Sequence, residues 1–540
     1  MGSQSRPLAE YGSDIWGDKF MSNHRDFELW KAYSEERDAL KNEVRTMLLF
    51  DGGKWTEKLI LINLVERLGV GYHFAENIED ILAKLHSDHA KVDENDDLFT
   101  TALYFRILRQ HGYNVSSDIL NKYKDNDGKF SEAVTRDPEG LLSLYEAAHL
   151  RTHGEAVLDE ALDFSTSHLK SIAKSLSPGS LAKQVKRALE QPLHKGIQRI
   201  EAKHFILFYE ESPSRNSILL KFAKLDFNLV QMLYKQELSL VNRWWADIDF
   251  ESKFPEFRSR VPEGYLWAVA IAFEPCYAMA RIMYTKMLCV LSVSDDLYDA
   301  YGTMDELKAY TKSIERLDVD SMNGLPDHCK MCFSTTLNVF SEFDEEIVKQ
   351  GSYCDVSYLK EAFKANLLAF HKESIWRDKN YVPSLEEYLM NSTTSSCIRM
   401  LGLCIIFSTG HGDTTGACKA TKKPKAVVAA ETMGRIINDI VGYEEEHSRP
   451  HVATSIDCYM KEHGVSKEEA EVKLYEMIED NWKDINEECL RPTSVAISYI
   501  TTFLCLMRVN HVTYKDKDRY THPEGLKHEV TLILVDPIPI

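Results

Sequence analysis

The sequence predicts an all-α protein built as two helical domains. Apolar side chains recur with helical periodicity nearly to the C-terminus, strict apolar/polar alternation is scarce, and the βαβ alternation of a parallel sheet is missing. Leu158, Leu162, Leu169, Ile172 and Leu176 share one helical stripe; Ser177-Pro178-Gly179 then stops the helix, and Ser180 offers an N-cap for the next. No self-similarity at ~34 or ~40 residues appears, which argues against a helical-repeat scaffold. A chain of 540 residues exceeds what one core usually supports, so two domains are expected. The polar break Glu211-Ser212-Pro213-Ser214-Arg215-Asn216 and the segment up to Asp226 put the boundary near Lys221, giving domains 1–221 and 222–540.

Composition narrows the function. Hydrophobic content of 44% with 27% charged residues is ordinary for a globular protein. The longest apolar stretch, Met279 to Val293, is interrupted by Arg281 and Lys286 and reads as a core helix, so membrane insertion is not expected. A net charge of -20 repels phosphate backbones, so nucleic acid is not an expected partner, and an anionic substrate needs metal ions or focused arginines. All 11 cysteines lie from Cys276 onward; Cys329 and Cys332 have CxxC spacing but no second pair to complete a zinc site. Reduced thiols in a cytosolic protein are the expectation, consistent with a Met1 to Ser5 start that lacks a secretory or transit pattern. Gly410 to Gly416 is glycine-rich without the P-loop arrangement and reads as an inter-helix loop; Lys515 to Glu524 reads as a mobile loop.

Two segments carry chemistry. Ser294-Asp295-Asp296-Leu297-Tyr298-Asp299 follows the long apolar helix, and if that helix continues, Asp295 and Asp299 point the same way one turn apart. Two carboxylates at the end of a buried helix repel and resist desolvation, so a cation should offset them. Oxygen ligands of this hardness suit Mg²⁺ bridged to substrate phosphates, although a solvated acidic helix end has the same composition. Downstream, Asn438, Gly442 and Glu446 recur every fourth residue after a second apolar stretch, which puts two oxygen donors on one helix face. Two such helices facing each other across a cavity can hold several metal ions.

Asp295 to Thr303 (DDLYDAYGT) and Asn438 to Glu446 (NDIVGYEEE) resemble the two metal motifs of plant class I terpene synthases of the sesquiterpene type. The likeness extends over nearly the whole chain, through Arg6-Pro7, Ile15-Trp16-Gly17-Asp18, Arg199-Ile200-Glu201-Ala202-Lys203, Glu274-Pro275-Cys276-Tyr277 and Tyr520-Thr521-His522-Pro523-Glu524. It implies an N-terminal relic α-barrel with a capping arm and a C-terminal catalytic α-bundle. It further implies that Asp295, Asp296 and Asp299 form the aspartate-rich motif, Asp295 and Asp299 as magnesium ligands, with Asn438 and Glu446 holding another ion. Gly442 replaces a Ser or Thr ligand, so a water takes its place; Glu373 is a further acidic group near the metals.

The same resemblance assigns Arg258, Arg260 and Arg435 to the diphosphate, and Trp267, Tyr514 and Tyr520 to an aromatic pocket, with Asp518 hydrogen-bonded to a pocket tyrosine. Ser395, Ser396 and Cys397 match a helix break whose carbonyls face substrate. The implied reaction is ionisation of a prenyl diphosphate by a monomer with three Mg²⁺ ions (Mn²⁺ as a substitute), as the N-terminal arm and the Lys515 to Glu524 loop close. Farnesyl diphosphate is the expected substrate, because Arg6-Pro7 lacks the RR pair of monoterpene synthases; geranyl and geranylgeranyl diphosphate are alternatives. No DxDD motif is present, which disfavours protonation-initiated cyclisation. A chain-elongating prenyltransferase would show a second DDxxD, and a non-catalytic scaffold would leave both metal faces unexplained.

Overall fold

The structure is a computed structural model that describes residues 9, 11, 14–22, 26–50, 52–87, 96–349, 355–409, 423–449 and 451–540. Helices dominate, and among the described residues extended pairing is confined to one isolated bridge between Lys124 and Phe130. The Arg6-Pro7 opening and the Gly410 to Gly416 segment lie outside the described residues.

The chain divides into two compact units. One comprises His24–Leu233, Asn486–Thr493 and Leu532–Ile540; the other comprises Tyr234–Ile485, Ser494–Thr531 and the N-terminal segment Met1–Asn23. The division differs from the boundary expected at Lys221: it falls inside the helix Ser217–Ile248, because the polar break at Glu211 to Asn216 only separates two consecutive helices. The arm and two C-terminal pieces also group differently from a simple cut.

In the first unit local sequence explains the helix starts. Asp26, Asp97 and Asp137 each accept a hydrogen bond from a first-turn N–H, and Pro138 sits where its missing N–H costs nothing. The helix expected to run to Leu176 stops at Ile172, since Leu176 is only partly buried and offers little to hold another turn. Gly179, not Ser180, occupies the cap position of the helix Ser180–Glu190. Asp226 is fully buried but accepts from the Tyr72 hydroxyl (2.8 Å) and pairs with His73 (2.8 Å). Those partners hold its carboxyl below the usual range although burial alone would raise it.

Seven helices of the second unit carry most of the candidate site and are numbered in chain order: α1 (Val261–Ile271), α2 (Ala278–Asp296), α3 (Ser357–Asp378), α4 (Leu385–Ser395), α5 (Ile398–Thr409), α6 (Lys425–Glu446) and α7 (Ile497–Thr513). The apolar span Pro275–Tyr301 is long and apolar enough, by length and composition, to cross a membrane. Most of it is buried inside the protein, as expected of a core helix. Arg281, taken above as an interruption, is wholly buried, and its guanidinium donates to Glu237 (2.7 and 2.8 Å) and to the Ala272 and Glu274 carbonyls. The Tyr265 hydroxyl adds a third donor to Glu237 (2.6 Å), so this buried pair is saturated and ties α1 and α2 to the helix before them.

Candidate active site

At the end of α2 the helix widens into a π-helical turn, Leu297–Tyr301, instead of continuing as α-helix. Asp295 and Asp299 still line one cavity of about 250 Å³, together with Leu288 and Leu291 one and two turns earlier on the same face. This wall therefore runs from apolar to anionic along a single helix. Burial pushes the Asp295 carboxyl up to about 6, with Arg258 opposing and Asp299 and Asp296 adding to the rise. Its side chain is 42% exposed, but that surface faces the cavity. Asp299 behaves oppositely: burial would raise it, yet Arg449 (2.7 Å) and Arg377 (3.3 Å) hold it below the usual carboxylate range.

Asp296, the other member of the aspartate-rich motif, does not line the cavity. It is 1% exposed and turned away from the cavity, where it accepts from the Arg258 backbone N–H (2.7 Å) and Nε (2.6 Å). Adjacent helical residues cannot both face inward, and Arg258 secures the one that does not.

The second wall is α6, from which Asn438, Gly442 and Glu446 face the same cavity. Gly434, one turn earlier, lets α6 approach α5, since a Cβ there would stand 2.9 Å from Ile398. A Cβ at Gly442 would sit 3.3 Å from Glu446 Oε1, so the glycine leaves room beside that carboxylate for a water or a small hydroxyl. Burial, with Asp439 adding, holds the Glu446 carboxyl well above its ordinary value. Arg449, three residues beyond Glu446, reaches Asp299, so the two walls stand within one arginine side chain of each other. Two cavity-facing carboxylates raised by desolvation, an amide oxygen and an opening at Gly442 form a hard-oxygen donor set that fits a divalent cation such as Mg²⁺.

Of the three predicted arginines, two line the cavity. Arg258 bridges Asp295 (2.7 Å), Asp296 and the Thr521 hydroxyl (2.9 Å), and Arg435 pairs with Asp439 (2.8 Å) and Asn438. Arg260 does not face the cavity: it is 2% exposed and donates to the Tyr520 (2.9 Å) and Thr521 (2.8 Å) carbonyls. With Arg258 it pins the segment that the sequence suggested was a mobile loop. Arg377 and Arg449 also line the cavity and were missed, although Arg377 lies one turn after Glu373 on α3 and Arg449 just after Glu446.

Trp267, Tyr514 and Tyr520 converge as expected, with ring centroids 6.4 and 6.3 Å from Trp267 at steep angles. Asp518 lines the cavity, but its Oδ1 accepts from the Tyr520 and Thr521 N–H groups (both 2.9 Å), while the Tyr520 hydroxyl meets Ser292 (2.6 Å). The expected aspartate–tyrosine bond is thus replaced by a turn cap. Ser395, Ser396 and Cys397 occupy the break between α4 and α5, and Cys397 takes a left-handed backbone (φ 61°), unusual for a side-chain-bearing residue. Glu373 accepts from Ser392 and Ser395 (both 2.7 Å) and Asn391 (3.2 Å), which ties α3 to this break. Tyr11 of the arm lies under Arg258 (4.6 Å from the ring centroid) and lines the cavity, a placement no local pattern announces.

Comparison with known proteins accounts for this combination. Residues 246–484 match the metal-binding domain model of the terpene synthase family, and residues 15–189 match the terpene synthase N-terminal domain model. A valerianol synthase of Camellia sinensis is 45% identical over 99% of this chain and 97% of its own length. A hedycaryol synthase of Camellia brevistyla is 44% identical over the same shares. Isoprene synthase from grey poplar (Populus x canescens), solved with three Mg²⁺ ions and dimethylallyl-S-thiolodiphosphate, superposes with a TM-score of 0.88 at 33% identity, covering 96% of this chain and 99% of that one. Limonene synthase with 2-fluorolinalyl diphosphate gives 0.90 at 29% identity, covering 99% of this chain and 100% of that one. Two facing oxygen walls, an aromatic floor, and likeness along both halves to such enzymes together show that the chain belongs to the terpene synthase family.

Proposed function

We propose that this enzyme ionises farnesyl diphosphate with Mg²⁺ and guides the carbocation to a cyclic sesquiterpene hydrocarbon or alcohol, releasing diphosphate. The observation that carries the reading is one cavity lined by carboxylates of α2 and α6, by four arginines, and by aromatic and aliphatic side chains. An amphipathic prenyl diphosphate matches that polarity. Asp295, Asp299, Asn438 and Glu446 would hold the divalent ions, with three Mg²⁺ suggested by the poplar enzyme's complex. Bound ions supply Lewis-acid stabilisation of the departing diphosphate.

The chain's own groups do the rest. Arg258, Arg377, Arg435 and Arg449 offer planar forks to phosphate oxygens and disfavour recombination of the ion pair. Trp267, Tyr514 and Tyr520 present π faces to developing positive charge, worth about 2 kcal/mol or more in a desolvated site. Tyr11 helps exclude water at the cavity. Ser395, Ser396 and Cys397 aim the break between α4 and α5 at the reacting chain.

Incubation with farnesyl diphosphate and Mg²⁺, followed by gas chromatography of the organic layer, tests this. Cyclic products are expected. Longer diphosphates formed only when isopentenyl diphosphate is added would replace the reading with chain elongation, and absence of turnover would refute catalysis on this substrate.

A further inference from the structure

At the rim of the cavity, which His451 lines, three side chains form a second donor cluster of different chemistry. His447, His451 and Asp457 place one potential ligand atom each within 4.8 Å of one another. His447 and His451 follow α6, and Asp457 lies in the first turn of the helix Ser455–His463.

The surroundings orient all three. His447 Nδ1–H donates to the Tyr443 carbonyl (2.7 Å), which leaves Nε2 facing Asp457 Oδ1 at 3.0 Å. His451 Nδ1–H donates to the Arg449 carbonyl (3.1 Å), which turns its Nε2 toward Asp457 Oδ2 at 3.9 Å. Donation of one ring N–H to a backbone carbonyl is the arrangement that fixes the tautomer of metal-ligating histidines. Asp457 is itself held by the Thr454 N–H (2.8 Å) and hydroxyl (2.9 Å). The Tyr443 ring stacks on His447 with centroids 3.8 Å apart.

Each ring thus commits its Nδ1–H to a backbone carbonyl and turns Nε2 to one carboxylate, which also accepts from the Tyr443 hydroxyl at 3.4 Å. A cation held by the two Nε2 atoms and the carboxylate would complete this geometry. We propose that His447, His451 and Asp457 form a transition-metal site, separate from the Mg²⁺ site, that takes Zn²⁺ or a similar borderline divalent ion. Two imidazole nitrogens and one carboxylate oxygen suit Zn²⁺, Co²⁺ and Ni²⁺, whereas Mg²⁺ prefers an all-oxygen shell. Ligand atoms around tetrahedral Zn²⁺ stand about 3.3 Å apart, so the three atoms, now within 4.8 Å of one another, must draw together by up to about 1.5 Å, which the exposed His447 can supply. Water completes the coordination. Arg449 lies between the two histidines and pairs with Asp299 (2.7 Å), so a bound ion restrains the residue that links the two cavity walls.

The test uses the full-length protein, stripped with chelator and held in excess Mg²⁺, with Co²⁺ as a spectroscopic probe. The proposal expects one equivalent of Co²⁺ with imidazole-type ligand-field bands, displaced by Zn²⁺. It expects His447→Gln to weaken binding at least about tenfold with unchanged circular dichroism, and Asp295→Ala to retain the site. Absence of such bands, or equal Co²⁺ affinity in His447→Gln, would show that the cluster is only an ion pair and overturn the proposal. Loss of the bands in Asp295→Ala would place the ion in the Mg²⁺ site and overturn it as well.

Discussion

Replacing Glu263 by Gln should remove a pH dependence of stability that originates where the N-terminal arm meets α1. Glu263 has no exposed surface, its Oε1 accepts from the Trp16 indole N–H (2.7 Å), and its Oε2 is buried without a hydrogen-bond partner. Burial pushes the carboxyl up to about 7; the Trp16 bond and Arg260 pull it back only in part, and Asp14 adds to the rise. Below the ordinary value of 4.5 the group is protonated in folded and unfolded chains alike, and its contribution is fully present. Between 4.5 and about 7 the unfolded chain releases the proton while the folded protein keeps it, so stability falls as pH rises. The difference at 1.36 kcal/mol per unit is about 3 kcal/mol, roughly 5 °C in melting temperature for a unit of this size at about 2.1 cal/mol/K of unfolding entropy per residue. Gln keeps an acceptor for Trp16 and cannot ionise. Thermal unfolding from pH 5 to 8 should show a downward slope that flattens in Glu263→Gln, and infrared difference spectra should show a protonated carboxyl titrating near neutrality in the parent alone. Parallel slopes in the two proteins, or no such carboxyl band, would refute the argument.

Asp295→Ala should lower turnover of farnesyl diphosphate by at least about 100-fold, because a metal ligand supports several kcal/mol of charge stabilisation, while far-UV circular dichroism stays unchanged; full activity would contradict the ligand role. Gly442→Ser puts a hydroxyl beside the Glu446 carboxylate with only a few tenths of an ångström to accommodate, and should lower the half-saturating Mg²⁺ concentration several-fold. An unchanged metal titration would count against a water at that position. Glu237→Gln leaves Arg281 buried with its charge uncompensated and should cost about 3 to 5 kcal/mol in denaturant unfolding. A loss below about 1 kcal/mol would mean that the pair contributes little.

The two metal faces were legible because each pairs a local spacing with an apolar helix, and a helix converts spacing into direction. Asp295 and Asp299, and likewise Asn438 and Glu446, could be placed on common faces without knowledge of the rest of the chain. What separates Asp295 from Asp296, or Arg258 from Arg260, is which neighbour points inward. That depends on the π-helical turn and on Arg258 securing Asp296 from a distant loop. Arg377 and Arg449 carried readable spacings but only ordinary helix-surface composition. Tyr11 depended on a contact with Arg258 across more than two hundred positions, for which periodicity has no signal. The boundary at Lys221 and the division at Tyr234 answer to different signals: a polar break marks where a helix ends, while the division between cores falls within the next helix.

Most of the charges around the cavity are already matched. Arg258 holds Asp295 and Asp296, Arg377 and Arg449 hold Asp299, and Arg435 holds Asn438 and Asp439. The guanidinium groups suited to phosphate oxygens are therefore occupied by the carboxylates and amide suited to metal ions. At Asp295 and Asp299 a metal ion alone must compete with an arginine, and a diphosphate alone must compete with a carboxylate for each arginine. When both arrive, each takes the partner the other releases, so the exchange keeps the number of opposite-charge contacts nearly constant. Coupling of this kind is reciprocal, since whatever diphosphate adds to metal affinity, metal adds to diphosphate affinity. An overall charge of -20 that would repel the substrate is thereby reconciled with a cavity that binds it.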